Sequence, residues 1–279
     1  MNILINNDYF TTREDVRIDL EDRGYQFGDG VYEVVRIYNG KPFQMDAHMR
    51  RFERSAKEIR LDLHTDINSI KDSLLKLLAN SNLRDGIIYF QATRGVAPRN
   101  HAFPNNATSI FSAYTKEIAR PLTELENGVK IVTTEDIRWL RCDIKSISLL
   151  GNVLAKQYSV ENSAKEAVQI RNGIVTEGSA SNFFIIKDGM IYTHKANNLI
   201  LKGITRDQVE MFAKELEVPF IEKEFTLDEA LTADEAFITS TTSEVTPVIQ
   251  INDHLLSEKP GPVTKELQRL FTNLVNSFS

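Results

Sequence analysis

Six consecutive residues, Glu177-Gly178-Ser179-Ala180-Ser181-Asn182, set a carboxylate beside four small side chains, directly before the apolar run Phe183-Phe184-Ile185-Ile186. The apolar run reads as a buried strand. Small residues let a bulky group approach the backbone closely, and a carboxylate held against a flat ligand is a partner for a protonated ring nitrogen. Read alone, the segment is equally a polar turn entering a strand. Two other segments favour an anion. Gly203-Ile204-Thr205-Arg206 stands at a helix start, where exposed N–H groups and the helix dipole attract phosphate. Thr239-Ser240-Thr241-Thr242-Ser243 lines up five hydroxyls after a strand, more donors than a turn needs. Their plain readings are a helix entry with a Thr cap and a solvated Ser/Thr loop.

Lys145 follows the window 136–144, which holds the only Trp (Trp139) and the only Cys (Cys142), and it precedes the small and apolar stretch 146–150. Burial disfavours an ammonium charge, so a lysine there is expected to offer a free amine that attacks an aldehyde and later moves a proton. Arg51, in His48-Met49-Arg50-Arg51-Phe52, can meet a phosphate with a two-pronged contact or serve as a surface helix charge. Arg99 and His101 lie two apart in the loop after Arg94-Gly95. In extended backbone they project to one side and can clamp a carboxylate; otherwise the loop is simply basic and exposed. No G-x-S-x-G elbow, Walker loop, HExxH or Rossmann fingerprint is present, and the five His residues are too dispersed for a metal site. The glycine-rich stretch 24–30 precedes a strand rather than a helix, so the dipole argument for phosphate does not apply there.

These groups need a scaffold. Segments 31–37 and 42–45 flank Asn39-Gly40, a hairpin-turn signal. Asp46 is placed to cap a helix with Met49, Phe52, Ala56 and Ile59 inside, and Asp66 to cap a second with Ile67, Ile70, Leu74, Leu77 and Leu78. Strands are expected at 86–95 and 107–114. Hairpins, then helices, then strands indicate an α+β layer over residues 1–117. Residues 118–127 are polar, contain Pro121 and show no period, so they read as a linker. Residues 128–279 form the second domain. It opens on a strand at 129–134 and a helix at 149–163. Strands around Ala167, Phe184 and Ile191 follow, joined by turns at Asn172-Gly173 and Asp188-Gly189. A helix with Val209, Phe212, Ala213 and Leu216 inside, strands at 235–239 and 246–251, and a helix from about 263 complete it.

The chain has 279 residues, 42% apolar and 26% charged, as expected of a soluble globular protein. Its formal net charge of −6 gives no general basic field for nucleic acid or an anionic membrane. No apolar run approaches the roughly 20 residues of a membrane helix. The N-terminal stretch 1–8 lacks the basic and apolar regions of a signal peptide. One cysteine excludes an intramolecular disulfide framework, and a cytoplasmic location is expected.

Together these segments resemble the fold type IV pyridoxal-phosphate-dependent aminotransferases over nearly the whole chain. Residues 21–35 (Glu-Asp-Arg-Gly-Tyr-Gln-Phe-Gly-Asp-Gly-Val-Tyr-Glu-Val-Val) are similar to the family's N-terminal signature. Segments 136–145, 177–182, 201–206 and 240–247 follow in the family's order. Thr93-Arg94-Gly95 followed by Pro98-Arg99 and His101 resembles the members that act on D-amino acids.

The resemblance implies an α/β fold: an α+β N-terminal domain and an α/β pseudo-barrel C-terminal domain that binds pyridoxal 5'-phosphate. It implies Lys145 as the Schiff-base lysine and Glu177 as partner of the ring nitrogen. Arg51, Ser179, Ile204, Thr205, Ser240 and Thr241 then contact the cofactor, largely at its phosphate, and Leu201 packs against its ring. Tyr32, Arg99 and His101 hold the substrate α-carboxylate, the last two reaching across a homodimer interface. The implied reaction converts D-alanine and 2-oxoglutarate to pyruvate and D-glutamate by a ping-pong route. A branched-chain L-amino acid aminotransferase, an aminodeoxychorismate lyase or a cofactor-binding protein without turnover are the alternatives on the same scaffold. One departure is Ala180, where close members of the family carry Ser.

Overall fold

The computed structural model describes residues 3–6, 8–10 and 13–277. Met1, Asn2 and Asn7 of the N-terminal stretch and the last two residues of the expected second domain lie outside the described residues. The chain divides into two units. One runs to Ala119 and also takes Ile144–Leu149; the other comprises Arg120–Asp143 and the chain from Leu150 onward.

The first unit contains β1 (Ile3–Ile5), β2 (Asp8–Phe10), α1 (Arg23–Phe27), β3 (Gly30–Tyr38), β4 (Lys41–Pro42), α2 (Met45–Glu58), α3 (Ile67–Ser81), β5 (Gly86–Thr93) and β6 (Ile110–Glu117). Its strands form one antiparallel sheet in the order β2-β1-β6-β5-β3-β4. Val31, Val35 and Ile37 of β3 join Met49, Phe52 and Ala56 of α2 and Ile70, Leu74 and Leu77 of α3 in one core. The helical stripe and the strand alternation bury complementary faces, which is what stabilises both elements. The Asn39-Gly40 turn has φ of 49° and 78°, both left-handed, as a two-residue hairpin loop requires. Asp66 caps α3 by accepting from the amides of Asn68 and Ser69 at 3.0 Å each. Asp46 does not cap α2. Gln44, itself left-handed, is the N-cap, and Asp46 sits in the first turn, where its carboxylate meets Lys71 Nζ at 2.6 Å. A short helix, α1, occupies part of the glycine-rich stretch 24–30 before the expected strand.

The second unit holds α4 (Leu122–Asn127), β7 (Val129–Glu135), α5 (Leu150–Glu161), β8 (Glu166–Arg171), β9 (Ile174–Gly178), β10 (Asn182–Lys187) and β11 (Met190–Thr193). It continues with α6 (Ile204–Glu215), β12 (Phe220–Glu222), α7 (Leu227–Leu231), β13 (Glu235–Ser240), β14 (Glu244–Ile251), β15 (His254–Leu255) and α8 (Pro262–Asn276). A nine-stranded mixed sheet runs β12-β11-β10-β13-β14-β7-β8-β9, with β15 beside β14. Phe183, Phe184, Ile185 and Ile186 are all buried, so both faces of β10 are covered. The turns at Asn172-Gly173 and Asp188-Gly189 again pair left-handed residues.

Two boundaries differ from the sequence expectation. The stretch 118–127 is not featureless: α4 fills its second half, a six-residue helix with no buried residue and therefore no periodic stripe to read. Residues 144–149 lie inside the span assigned to the second domain, yet Ile144 is buried in the first unit's core. Ser146 bridges Val31, and Ile147 N donates to Gly30 O at 3.1 Å. This segment covers the edge of β3 that the two-residue β4 leaves open. Among the described residues, no helix is long and apolar enough to cross a membrane.

Candidate active site

Each unit gathers part of the predicted set. In the first, the added segment carries Lys145 to β3. Tyr32 N donates to Lys145 O at 3.0 Å, and Lys145 N donates to Ser55 Oγ at 3.3 Å. Backbone pairing on both sides thus fixes where the side chain starts. The half-buried Lys145 ends with Nζ 4.2 Å from the centre of the Tyr32 ring.

Behind Tyr32 lies a buried charged group that sequence reading missed. Glu33 is fully buried; Arg51 grips it with Nε at 2.7 Å and Nη2 at 2.8 Å, and His48 Nδ1 sits 2.7 Å away. Burial opposes ionisation of Glu33, but Arg51 and His48 outweigh it and hold the carboxyl well below its ordinary value. Burial also pushes His48 down, against the pull of Glu33. Arg51, expected to meet a phosphate, spends two of its nitrogens on Glu33.

Arg99 and His101 are exposed on a bent rather than extended loop, and both lie on one ring. Arg99 Cζ is 4.3 Å from the Phe27 centroid, and the His101 ring is 5.5 Å from it. Arg23 pins this loop by donating to Asn100 O at 2.6 Å and Ala102 O at 3.3 Å. Asp29 in turn holds Arg23 and Arg94, each at 2.8 Å. Among the described residues, no recorded contact of Arg99 or His101 reaches Tyr32 or Lys145.

In the second unit, Glu177 is the penultimate residue of β9 and is buried. Arg138 Nη1 donates to it at 2.6 Å, Asn182 Nδ2 at 3.0 Å, and the Leu201 amide at 3.1–3.2 Å to both oxygens. Burial pushes the Glu177 carboxyl up to about 7, against Arg138 and the Leu201 N–H. Arg138 is braced by two bonds of 2.9 Å to Asp136, which also binds Arg171 at 2.9 Å. Burial disfavours the Asp136 charge too, yet the two arginines hold that carboxyl down at about 2. Two carboxylates and two guanidiniums therefore form one balanced cluster. Sequence reading singled out only Glu177, because the pairing brings the loop after β7 to the end of β9 and the start of β10. Cys142 is inert: burial pushes its thiol up to about 11, and Sγ donates to Trp139 O.

The neighbouring turn is built around Glu166. Its carboxylate accepts from the amides of Ala167, Ser179 and Ala180 and from the hydroxyls of Ser179 and Ser181. Ser179, predicted to touch a cofactor, thus gives its hydroxyl to Glu166, while Ala180 contributes only its backbone N–H to this turn. Asn182 links the acid to the helix start: it donates to Leu201 O at 2.8 Å as well as to Glu177. Gly203 caps α6 with no side-chain bond, and a β-carbon there would collide with Asn182 Oδ1. The first amides of α6, at Ile204 and Thr205, face outward along the helix axis with no partner inside the helix. Ser240 and Thr241 stand at the β13–β14 turn, and Ser240 Oγ accepts from Ser243 N at 3.0 Å. Thr239, paired with Asn182 across β13 and β10, keeps a buried Oγ1 without a partner among the described residues.

A buried carboxylate, an uncapped helix N-terminus three residues along from Leu201 and an orphaned hydroxyl fit a small cationic ring bearing a phosphate arm. Arg138→Met would leave Asp136 and Glu177 buried with less compensation, so a stability loss of roughly 3–5 kcal/mol is expected. Urea denaturation measures it; an unchanged midpoint would show that the cluster does not depend on Arg138.

Residues 30–251 match the family model described as amino-transferase class IV. The chain belongs to that family and is an aminotransferase, and its fold is fold type IV. A protein of Staphylococcus epidermidis named D-alanine aminotransferase is 49% identical over 279 residues, covering 99% of each chain. Among solved structures, a branched-chain amino acid aminotransferase of Escherichia coli superposes with a TM-score of 0.93 at 25% identity, over 98% of this chain and 94% of that one. One from Thermobaculum terrenum, solved in its PLP-bound holo form, gives 0.88 at 26% identity, over 100% and 94%.

Proposed function

We propose that the chain transfers the amino group of D-alanine to 2-oxoglutarate, yielding pyruvate and D-glutamate, with pyridoxal 5'-phosphate as cofactor. The observation that carries this reading is Glu177, a buried carboxylate joined through Leu201 to the open N-terminus of α6. The near full-length likeness to a D-alanine aminotransferase supports the substrate. When bound, the cofactor supplies an aldehyde that takes up the amine and a ring that accepts the electron pair released at Cα.

The chain's own residues do the rest. Glu177 holds the proton on the ring nitrogen. Lys145 would hold the aldehyde end of the cofactor, and its amine Nζ would serve as the base that moves the substrate Cα proton. Tyr32 lies under that amine and sets the side from which it works. Ile204 and Thr205 offer amides to the phosphate, with Ser240, Thr241, Ser179 and Arg51 around it, and Leu201 packs on the ring. Arg99 and His101 bind the α-carboxylate. On this reading they are delivered from the second subunit of a homodimer. We place the enzyme in the cytoplasm, in keeping with its single buried cysteine.

The likeness to branched-chain enzymes supports a second reading, action on L-leucine. The test is a half reaction on cofactor-loaded protein, followed by absorbance. D-alanine is expected to convert the bound cofactor to its amine form, and L-leucine to leave it unchanged. Conversion by L-leucine alone would overturn the D-specific reading.

A further inference from the structure

Arg36, on β3, is 1% exposed, and Nε, Nη1 and Nη2 all lack a hydrogen-bond partner among the described residues. The other arginines of this unit that lie mostly or fully buried are matched: Arg23 and Arg94 hold Asp29, and Arg51 holds Glu33. Arg36 has only the Tyr38 ring, 5.1 Å from Cζ. One cation–π contact returns less than the desolvation of a guanidinium costs, and it satisfies none of the five N–H donors. The fold therefore keeps a buried cation that awaits an anion.

Strand parity shows which anion. Residues 32, 34, 36 and 38 share one face of β3, and that face carries Tyr32, over which the Lys145 amine sits. Arg36 lies four residue steps along the strand from Tyr32, about 13 Å. Val34 lies between them, half-buried and apolar. Rotation of the Arg36 side chain back along the strand covers part of that distance. A five-carbon dicarboxylate held by its α-carboxylate near Tyr32 spans the remainder, with its methylenes on Val34; a three-carbon acid does not. We infer that Arg36 receives the distal carboxylate of 2-oxoglutarate and of D-glutamate, and so selects the acidic partner of the exchange. This rests on the transaminase reading above.

The test compares Arg36→Met and Arg36→Lys with the parent as cofactor-loaded enzymes, each half reaction followed separately. For Arg36→Met, KM for 2-oxoglutarate is expected to rise at least tenfold, while the D-alanine half reaction and pyruvate as acceptor stay within twofold. Arg36→Lys, which keeps the charge and loses the fork, is expected to fall between. Glutarate, a non-reacting probe, should raise the melting temperature of the parent and not of Arg36→Met. Without ligand, Arg36→Met should melt no lower than the parent, since it removes an unpaired buried charge. An unchanged KM for 2-oxoglutarate, or an equal loss with pyruvate, would overturn the assignment. Failure of the parent with D-alanine would instead sink the transaminase reading itself.

Discussion

Lys145→Ala is expected to lower the rate of amino-group transfer by about 10⁴-fold, the upper end of what a positioned acid–base group contributes. The expectation rests on how the residue is held. Its amide and carbonyl are fixed by Ser55 and Tyr32 through backbone bonds that alanine retains, so the substitution removes the amine and leaves the strand pairing intact. The loss should therefore fall on kcat, with an unchanged denaturation midpoint. Single-turnover mixing of cofactor-loaded variant with D-alanine measures it. A variant retaining more than about a tenth of the parent rate would show that another group moves the Cα proton.

Glu177→Gln carries the second large effect. An amide cannot hold a proton on a ring nitrogen by charge, and transfer is expected to slow by about 10²–10³-fold, as for loss of one group stabilising developing charge. The same variant should change the pH dependence of stability in the cofactor-free protein. The folded carboxyl titrates near 7, above its ordinary 4.5. Between those values the folded state binds more protons than the unfolded one, so stability falls as pH rises through that window. The cost approaches roughly 3 kcal/mol above pH 7. Glu177→Gln should flatten that slope, as read from urea midpoints between pH 4.5 and 8. Asp136 acts in the opposite sense and lower down. Its carboxyl is held at about 2, so the stability it gives is present above its ordinary 3.8 and is lost as pH falls through 2. Geometry and burial pull differently on Glu177: two donors at 2.6 and 3.0 Å favour the carboxylate, while desolvation favours the acid. On the proposed reading, a bound ring cation would add positive charge beside Glu177 and favour its carboxylate form.

Much of this was legible from local pattern. The burial of β10 showed as an apolar run after Glu177, and the hairpins as Asn-Gly and Asp-Gly pairs. What escaped was what long-range pairing creates. Arg138, braced by Asp136, and Asn182 meet Glu177 only because the loop after β7 and the start of β10 both reach the end of β9. Glu166 stands at the start of β8, yet it organises a turn 13 residues away. That Arg51 grips Glu33, on another element, could not be seen from its own window. Asp46 had the chemistry of a cap, but the chain turned into α2 one residue before it. In Arg36 the sequence offers only one more alternating strand residue, since the absence of a partner is a property of the packed interior.

The six residues 144–149, stitched to the edge of β3, have a consequence for how the molecule is made. On a ribosome the first 119 residues emerge with the Gly30–Tyr32 edge of their sheet still open, and its closing piece arrives only after 24 residues of the other unit have been synthesised. The N-terminal unit is thus an unfinished product until residue 149 is out. Cutting the chain after Ala119 would not release a finished half but one with a raw edge, prone to recruit a strand from a neighbouring molecule. The lysine arrives on that same closing piece, so the amine reaches Tyr32 only when the sheet is sealed.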